Sequence, residues 1–403
     1  MIVINDFISK YVTKRSKSLF HQDLEKYNSE ITKILLNKKI LVIGGAGSIG
    51  SEFILQCLKF KVKSLSVIDI NENALTELTR NLRNSNDILM PQDYSTYPID
   101  YADPICKKII KEHNGFDIIA NFSAHKHVRS EKDVFSLEAM INNNVLKTWK
   151  FLKFLKTLPP EHYFSVSTDK AANPVNMMGA SKKIMEDVIF SFSNRFSVKS
   201  ARFANVAFSN GSLPAGFLNR IAQKQPLAAP TDIYRYFVSP PESGELCLLA
   251  NTLGKNKEIF FPKLEKTQML TFTKIAEDLL KYYGYTPYYC KSEEEAKKFF
   301  LNNTDTKKTG LYPVFFTQSD TTGEKNEEEF VCKSEVPDLS RFHSIGVISN
   351  QDIKTEFEID SMINRIDECI KSSACKQDIV ELFQEYIPTF NHIERNKSLD
   401  TKL

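Results

Sequence analysis

Lys39-Ile40-Leu41-Val42-Ile43-Gly44-Gly45-Ala46-Gly47-Ser48-Ile49-Gly50 is the stretch on which the fold turns. Its apolar run reads as a buried strand, and glycines at 44, 47 and 50 then open a helix. Glycine permits the tight turn and the close approach of backbone to a pyrophosphate, and the free amides of a helix start attract that charge. Asp69 ends the next apolar run 19 positions after Gly50, near the ~20 expected of a carboxylate that bonds a ribose 2′-hydroxyl. A carboxylate there repels a 2′-phosphate, which favours NAD over NADP. Gly44, Gly47, Ser48, Ile49, Gly50 and Asp69 are therefore candidate cofactor residues, and Asp100, after the third strand, is a candidate for the adenine edge.

Working outward, strand and helix signals alternate. Strands are expected at 39–44, 64–69, 90–100, 117–122, 162–167 and 197–205. Helices are expected at 48–60, 72–82, 104–113, 139–155 and 179–192. Continuous apolar strands alternating with helices predict an α/β fold of the Rossmann type, a doubly wound parallel sheet covered on both faces. The pattern assigns 39–205 to this domain, with 236–262 returning to it. A smaller C-terminal substrate-binding lobe takes 206–235 and 263–393, with an insertion near 285–316. Residues 1–38 read as an N-terminal helical arm and 394–403 as a frayed tail.

Composition bounds the rest. A formal charge of +3, interspersed along 403 residues, offers no block of charge for a nucleic acid or a membrane surface. No apolar run approaches the ~18–20 residues of a membrane span, and residues 1–6 lack the pattern of a signal peptide. The seven cysteines are scattered, odd in number and never spaced as Cys-x-x-Cys. Reduced cytoplasmic thiols, with neither a metal site nor a disulfide framework, are expected.

Chemistry concentrates after the fifth strand, in Ser167-Thr168-Asp169-Lys170 and Met178-Gly179-Ala180-Ser181-Lys182. Carboxyl ends of strands are where open α/β sheets place their ligands. Asp169 can supply a proton to a leaving hydroxyl. Lys170, if desolvated near other cations, can be neutral enough to accept a carbon-bound proton. Lys182 falls one helical turn after position 178, so the two share a face. A reductase pair of the form Tyr-x-x-x-Lys would place tyrosine at 178, and methionine there removes a phenol that shuttles protons.

In these motifs the chain resembles the nucleotide-sugar 4,6-dehydratases of the extended short-chain dehydrogenase/reductase family, in the polysaccharide-biosynthesis branch that acts on N-acetylglucosamine nucleotides. The stretches that carry the resemblance are 43–50, Ala124-His125-Lys126-His127-Val128, Asn144-Val145, 167–182, Arg202-Phe203-Ala204-Asn205-Val206, Thr231-Asp232-Ile233-Tyr234-Arg235-Tyr236-Phe237 and Thr322-Gly323-Glu324-Lys325. They fall in order over roughly 39–330. The resemblance implies tightly bound NAD, recycled within each turnover, and dehydration of an N-acetylglucosamine nucleotide (UDP favoured, GDP the alternative) to a 4-keto-6-deoxy sugar.

It implies Asp169 as acid at O6, Lys170 as base at C5, Thr168 on the 4-oxygen and Lys182 on the nicotinamide ribose, with Met178 marking retention at C5. Tyr101, Ser123 and Ala124 join the cofactor residues, and Lys126, His127, Asn205, Arg235 and Glu324 the substrate contacts. Phe122-Ser123-Ala124 replaces the family's Ala-Ala-Ala. The membrane-spanning leader of some members has no counterpart in 1–38, so a soluble, cytoplasmic protein is expected, and the resemblance implies a homo-oligomer. The alternatives are a 4-epimerase, which would depend on the missing tyrosine, and a catalytically inactive dinucleotide sensor, which would not need the Asp-Lys pair.

Overall fold

The computed structural model describes residues 4–302, 306–350, 353–372, 375–392 and 394. The strands of the main sheet are β1 (Lys39–Ile43), β2 (Ser64–Ile68), β3 (Asp93–Tyr97), β4 (Ile118–Asn121), β5 (His162–Thr168), β6 (Ser197–Phe203), β7 (Glu258–Pro262), β8 (Pro337–Asp338) and β9 (Ile345–Ser349). Their spatial order is β8-β9-β7-β6-β5-β4-β1-β2-β3. From β3 to β7 all pairings are parallel, whereas β9 joins β7 and β8 joins β9 antiparallel. The run β3-β2-β1-β4-β5-β6 is the Rossmann order, which reverses between β1 and β4 and leaves a crevice at the carboxyl ends. β1 and β2 are buried nearly throughout, with only Lys39, Ser64 and Ser66 polar among their residues, because helices cover both faces.

The lobe has its own apolar core, with Phe217, Leu227, Ile275, Leu279, Tyr312 and Val314 among its members. The expected insertion is no plain loop. Its segments Thr286–Tyr289 and Leu311–Thr317 build a three-stranded parallel sheet with Leu227–Pro230. A correction falls on 263–393, assigned above to the lobe. β8 and β9 extend the main sheet, and helices Glu356–Lys371 and Lys376–Tyr386 bury Ile359, Ile363, Ile379 and Phe383 in the main core. Their amphipathic faces find a larger apolar surface there than the lobe offers. The N-terminal arm also divides: Phe7, Ile8 and Val12 sit in the lobe core, while Phe20, Ile31 and Leu35 join the main core. Of the expected tail, only Glu394 lies among the described residues. Among the described residues no helix is long and apolar enough to cross a membrane.

One buried ion network ties these layers together. Arg202 of β6 is 1% exposed and donates to Glu186 from Nε and Nη2 at 2.9 and 2.8 Å. It also donates to Glu335 at 2.6 and 2.8 Å and to the Phe330 carbonyl at 2.9 Å. Ser167 of β5 donates to Glu186 at 2.6 Å. Removing one member of such a set strands a charge in the interior. Glu186→Ala is expected to cost about 3–5 kcal/mol; urea unfolding measures it, and a loss below about 1 kcal/mol would mean that the network is not a structural tie.

Candidate functional site

The glycine turn has the geometry of a phosphate cradle. Gly44 adopts φ +69°, and a Cβ there would meet the Ser123 amide nitrogen at 2.7 Å. A Cβ on Gly50 would meet the Gly44 carbonyl oxygen at 2.4 Å, so the helix start is drawn hard against the turn. Helix Ser48–Cys57 begins after Gly47 with no side-chain cap, leaving its first-turn amides to a ligand. Asp69 stands behind the turn, where its Oδ2 accepts from the Ala46 amide at 3.0 Å and its Oδ1 from the Asn71 amide at 3.0 Å. The donor set suits a dinucleotide pyrophosphate. Asp100 and Tyr101 are used internally: Asp100 pairs with Lys147, and buried Tyr101 donates to the Asn143 carbonyl at 3.0 Å.

Beyond this turn a cavity of about 740 Å³ opens between the sheet and the lobe, a size that encloses much of a small organic ligand. Among the expected residues it is lined by Ile49, Ala124, Lys126, His127, Thr168, Lys170, Met178, Lys182, Asn205 and Glu324. Asp169, Arg235, Ser123 and the remaining cofactor candidates do not form its wall. Sequence reasoning missed Arg220, which also lines it. Lys126, Lys170, Lys182 and Arg220 line it together with Glu293 and Glu324, an excess of basic over acidic side chains that suits an anionic ligand.

The catalytic candidates are brought together by the end of β5 and the helix Met177–Ser191. Asn176 caps that helix through the Gly179 amide at 2.8 Å and reaches the Gly323 carbonyl at 2.7 Å. Gly179 is required by contact, because a Cβ there would lie 2.5 Å from the Lys170 carbonyl oxygen. Asn144 accepts from the His125 amide at 2.8 Å and donates to Ser181 at 3.0 Å, locking the segment that carries Lys126 against the same helix.

Asp169 is 3% exposed. Its Oδ1 accepts from the Thr168 hydroxyl at 2.8 Å, from the Lys170 amide at 2.9 Å and from Lys170 Nζ at 3.1 Å. Lys170 also faces Glu328, whose Oε1 lies 3.5 Å from its Nζ. Burial pulls the Lys170 pKa down, but the Asp169 and Glu328 carboxylates outweigh it and hold the ammonium above the ordinary lysine value. The neutral Lys170 expected from desolvation is therefore not the resting state. Arg235, expected on the substrate, instead donates from Nη1 to the carbonyls of Tyr234 and Lys325, both at 2.9 Å, and lies 3.6 Å from Glu328. Glu324 accepts from Ser319 at 2.6 Å and Thr321 at 3.0 Å. Met178, 2% exposed, offers the cavity an apolar thioether and no titratable group.

Burial lowers the Lys182 pKa to about 8, partly opposed by Glu186. An ordinary lysine titrates near ~10.4. Between these values the unfolded chain keeps the proton that the folded chain has released, so stability rises with pH through that window. Lys182→Met should remove up to about 3 kcal/mol of this rise, leaving the share of Lys199, lowered by burial to about 7. Urea unfolding at the two ends of the window measures it, and an equally steep rise in the variant would contradict the assignment.

The fold recurs in known proteins. An uncharacterized membrane protein of Methanocaldococcus jannaschii, MJ1061, is 31% identical over 79% of this chain and 88% of its own. The capsular polysaccharide biosynthesis protein CapD of Staphylococcus aureus is 30% identical over 83% of this chain, which spans about half of CapD, 52% of its length. Among solved structures, Pen from Bacillus thuringiensis aligns with a TM-score of 0.63 at 20% identity, covering 82% of this chain and 98% of Pen. DesIV, a dTDP-glucose 4,6-dehydratase of Streptomyces venezuelae solved with NAD, gives 0.55 at 18% identity over 73% of this chain and 88% of its own. Nucleotide-sugar epimerases have the same fold. The description of a polysaccharide biosynthesis protein family matches residues 40–350, and the chain belongs to that family.

Proposed function

We propose that the chain catalyses NAD-dependent 4,6-dehydration of an N-acetylglucosamine nucleotide, UDP favoured over GDP, with retention at C5. The observation that carries this reading is the Thr168–Asp169–Lys170 chain of hydrogen bonds at the end of β5, facing a cationic cavity below Met178. An epimerase would want a phenol at 178, and a sensor would have no use for a buried carboxyl-ammonium pair.

NAD held at the glycine turn would supply a reversible hydride acceptor for C4 and C6 of the sugar. The protein handles the protons. Thr168 stands on the cavity wall with Asp169 behind it, so the O4 proton has a path to Asp169 through the threonine hydroxyl. Protonated Asp169 then supplies the proton with which the 6-hydroxyl departs as water. Lys170 takes the C5 proton, made acidic by the 4-keto group, and returns it to C5 after C6 is reduced. These steps are coupled. A unit charge 3.1 Å from Lys170 Nζ is worth on the order of 5 kcal/mol at an effective dielectric of about 20. Protonating Asp169 removes that charge and makes Lys170 easier to discharge at the moment when a base is needed. Lys126 and Arg220, both on the cavity wall, are the cations that this reading offers to the diphosphate, and Lys182 the one that it offers to the nicotinamide ribose.

Incubation with UDP-N-acetylglucosamine should yield the alkaline chromophore of a 4-keto sugar, and Asp169→Asn should lower kcat by about 10²–10⁴-fold with thermal stability preserved. A thermal-shift panel of UDP, GDP and dTDP sugars identifies the nucleotide; no product from any of them would refute the dehydratase reading. Met178→Tyr should change the C5 configuration seen by NMR, and an active variant with unchanged configuration would dissociate Met178 from stereochemistry.

A further inference from the structure

Glu328 belongs to an acidic run, Glu327-Glu328-Glu329, of the kind that ordinarily faces solvent. Here it is 5% exposed, turned inward beneath Lys170. Its Oε1 lies 3.5 Å from Lys170 Nζ and 3.6 Å from Arg235 Nη2. Its Oε2 is buried with no hydrogen-bond partner among the described residues. An ionised carboxylate left with such an oxygen is costly, whereas a carboxyl group that gains and loses a proton has reason to sit there. Arg235, itself pinned by backbone carbonyls, fixes the position of Glu328 without contacting the cavity.

Resting on the dehydratase reading above, we propose that Glu328 is a positioning residue that takes the proton from Lys170 and so turns it into the base for C5. An N–H bond of the Lys170 ammonium breaks and an O–H bond forms on Glu328. The freed nitrogen lone pair takes the C5 proton, and the C5–H electrons pass into the enolate of the 4-ketone. When C6 has been reduced, Lys170 returns its proton to C5 and Glu328 returns its own to Lys170, which leaves both groups as they began. The charged groups that face Glu328 agree with this. Burial raises its pKa above the ordinary carboxyl value against the pull of Lys170; Asp169 adds to the rise, and Arg235 and Lys325 reduce it. Protonating Asp169 withdraws its share of that rise, but it also frees Lys170 of a charge that held its proton, and burial still leaves Glu328 the nearest acceptor.

Single-turnover experiments on the holoenzyme with UDP-N-acetylglucosamine, with and without deuterium at C5, separate the two steps. Reduced-nicotinamide absorbance reports the first oxidation, and release of the 4-keto-6-deoxy product reports elimination. Glu328→Gln should slow elimination about 10²-fold, leave the first oxidation within about twofold, and develop an isotope effect from C5. Glu328→Asp, which keeps a carboxyl one methylene further away, should recover about tenfold of that loss. A partly misfolded variant would slow both steps alike, so their ratio remains informative for either substitution. An unchanged ratio in the two variants overturns the inference while the wild type stays a dehydratase. A wild type that neither reduces its nicotinamide nor eliminates overturns the functional reading and this inference with it.

Discussion

The helix that carries Lys182 approaches the turn after β5 so closely that one methyl group would force them apart, since a Cβ at 179 would lie 2.5 Å from the Lys170 carbonyl. That contact sets the spacing of the site. It places Met178 and Lys182 above Thr168 and Lys170 on one cavity wall. Asn176 and Gly323 extend the constraint to the loop that carries Glu324 and Glu328. A Cβ on Gly323, which has φ +72°, would strike Asn176 at 2.5 Å. Glu131, held by His392, fixes the Met177 amide at 2.9 Å from the other side. Side chains from distant parts of the chain thus meet through backbone approaches that only glycine allows.

Charge within this frame is gathered into two buried sets. Asp169 and Glu328 confront Lys170 and Arg235, and farther from the cavity Glu186 and Glu335 confront Arg202. The two sets differ in saturation. Arg202 spends its donors on carboxylates and a carbonyl in good geometry, as a structural tie should. Around Lys170 the contacts lengthen to 3.5 and 3.6 Å and an oxygen is left over, which is the looseness that proton movement requires.

Local pattern revealed much of this. Apolar runs and the glycine turn predicted β1, β2 and the helix between them, and the carboxyl end of β5 pointed to residues that line one cavity, Thr168 and Lys170. The missing parts depend on tertiary contact. Nothing in Glu327-Glu328-Glu329 distinguishes the buried acid from its neighbours, because the signal lies in Lys170 and Arg235, 158 and 93 positions earlier. The charge of Lys170 depends on two carboxylates, and only Asp169 adjoins it in sequence, whereas Glu328 reaches it through the fold. Helices 356–371 and 376–386 have amphipathic faces that a sequence can display without naming the surface they will cover.

The N-terminal arm ties the two cores in a way that limits their freedom. Phe7 is embedded in the lobe, Phe20 in the main body, and between them Arg15 grips Glu242 through Nε and Nη2 at 2.9 and 2.8 Å, while the Leu19 amide holds the same carboxylate. Glu242 in turn caps the helix Pro240–Leu253 that lies along helix Ser48–Cys57. The arm therefore fastens the lobe core to the main core, with an aromatic anchor on either side of one shared carboxylate. Parting the lobe from the main body would require unseating an aromatic anchor or breaking the Arg15–Glu242 pair.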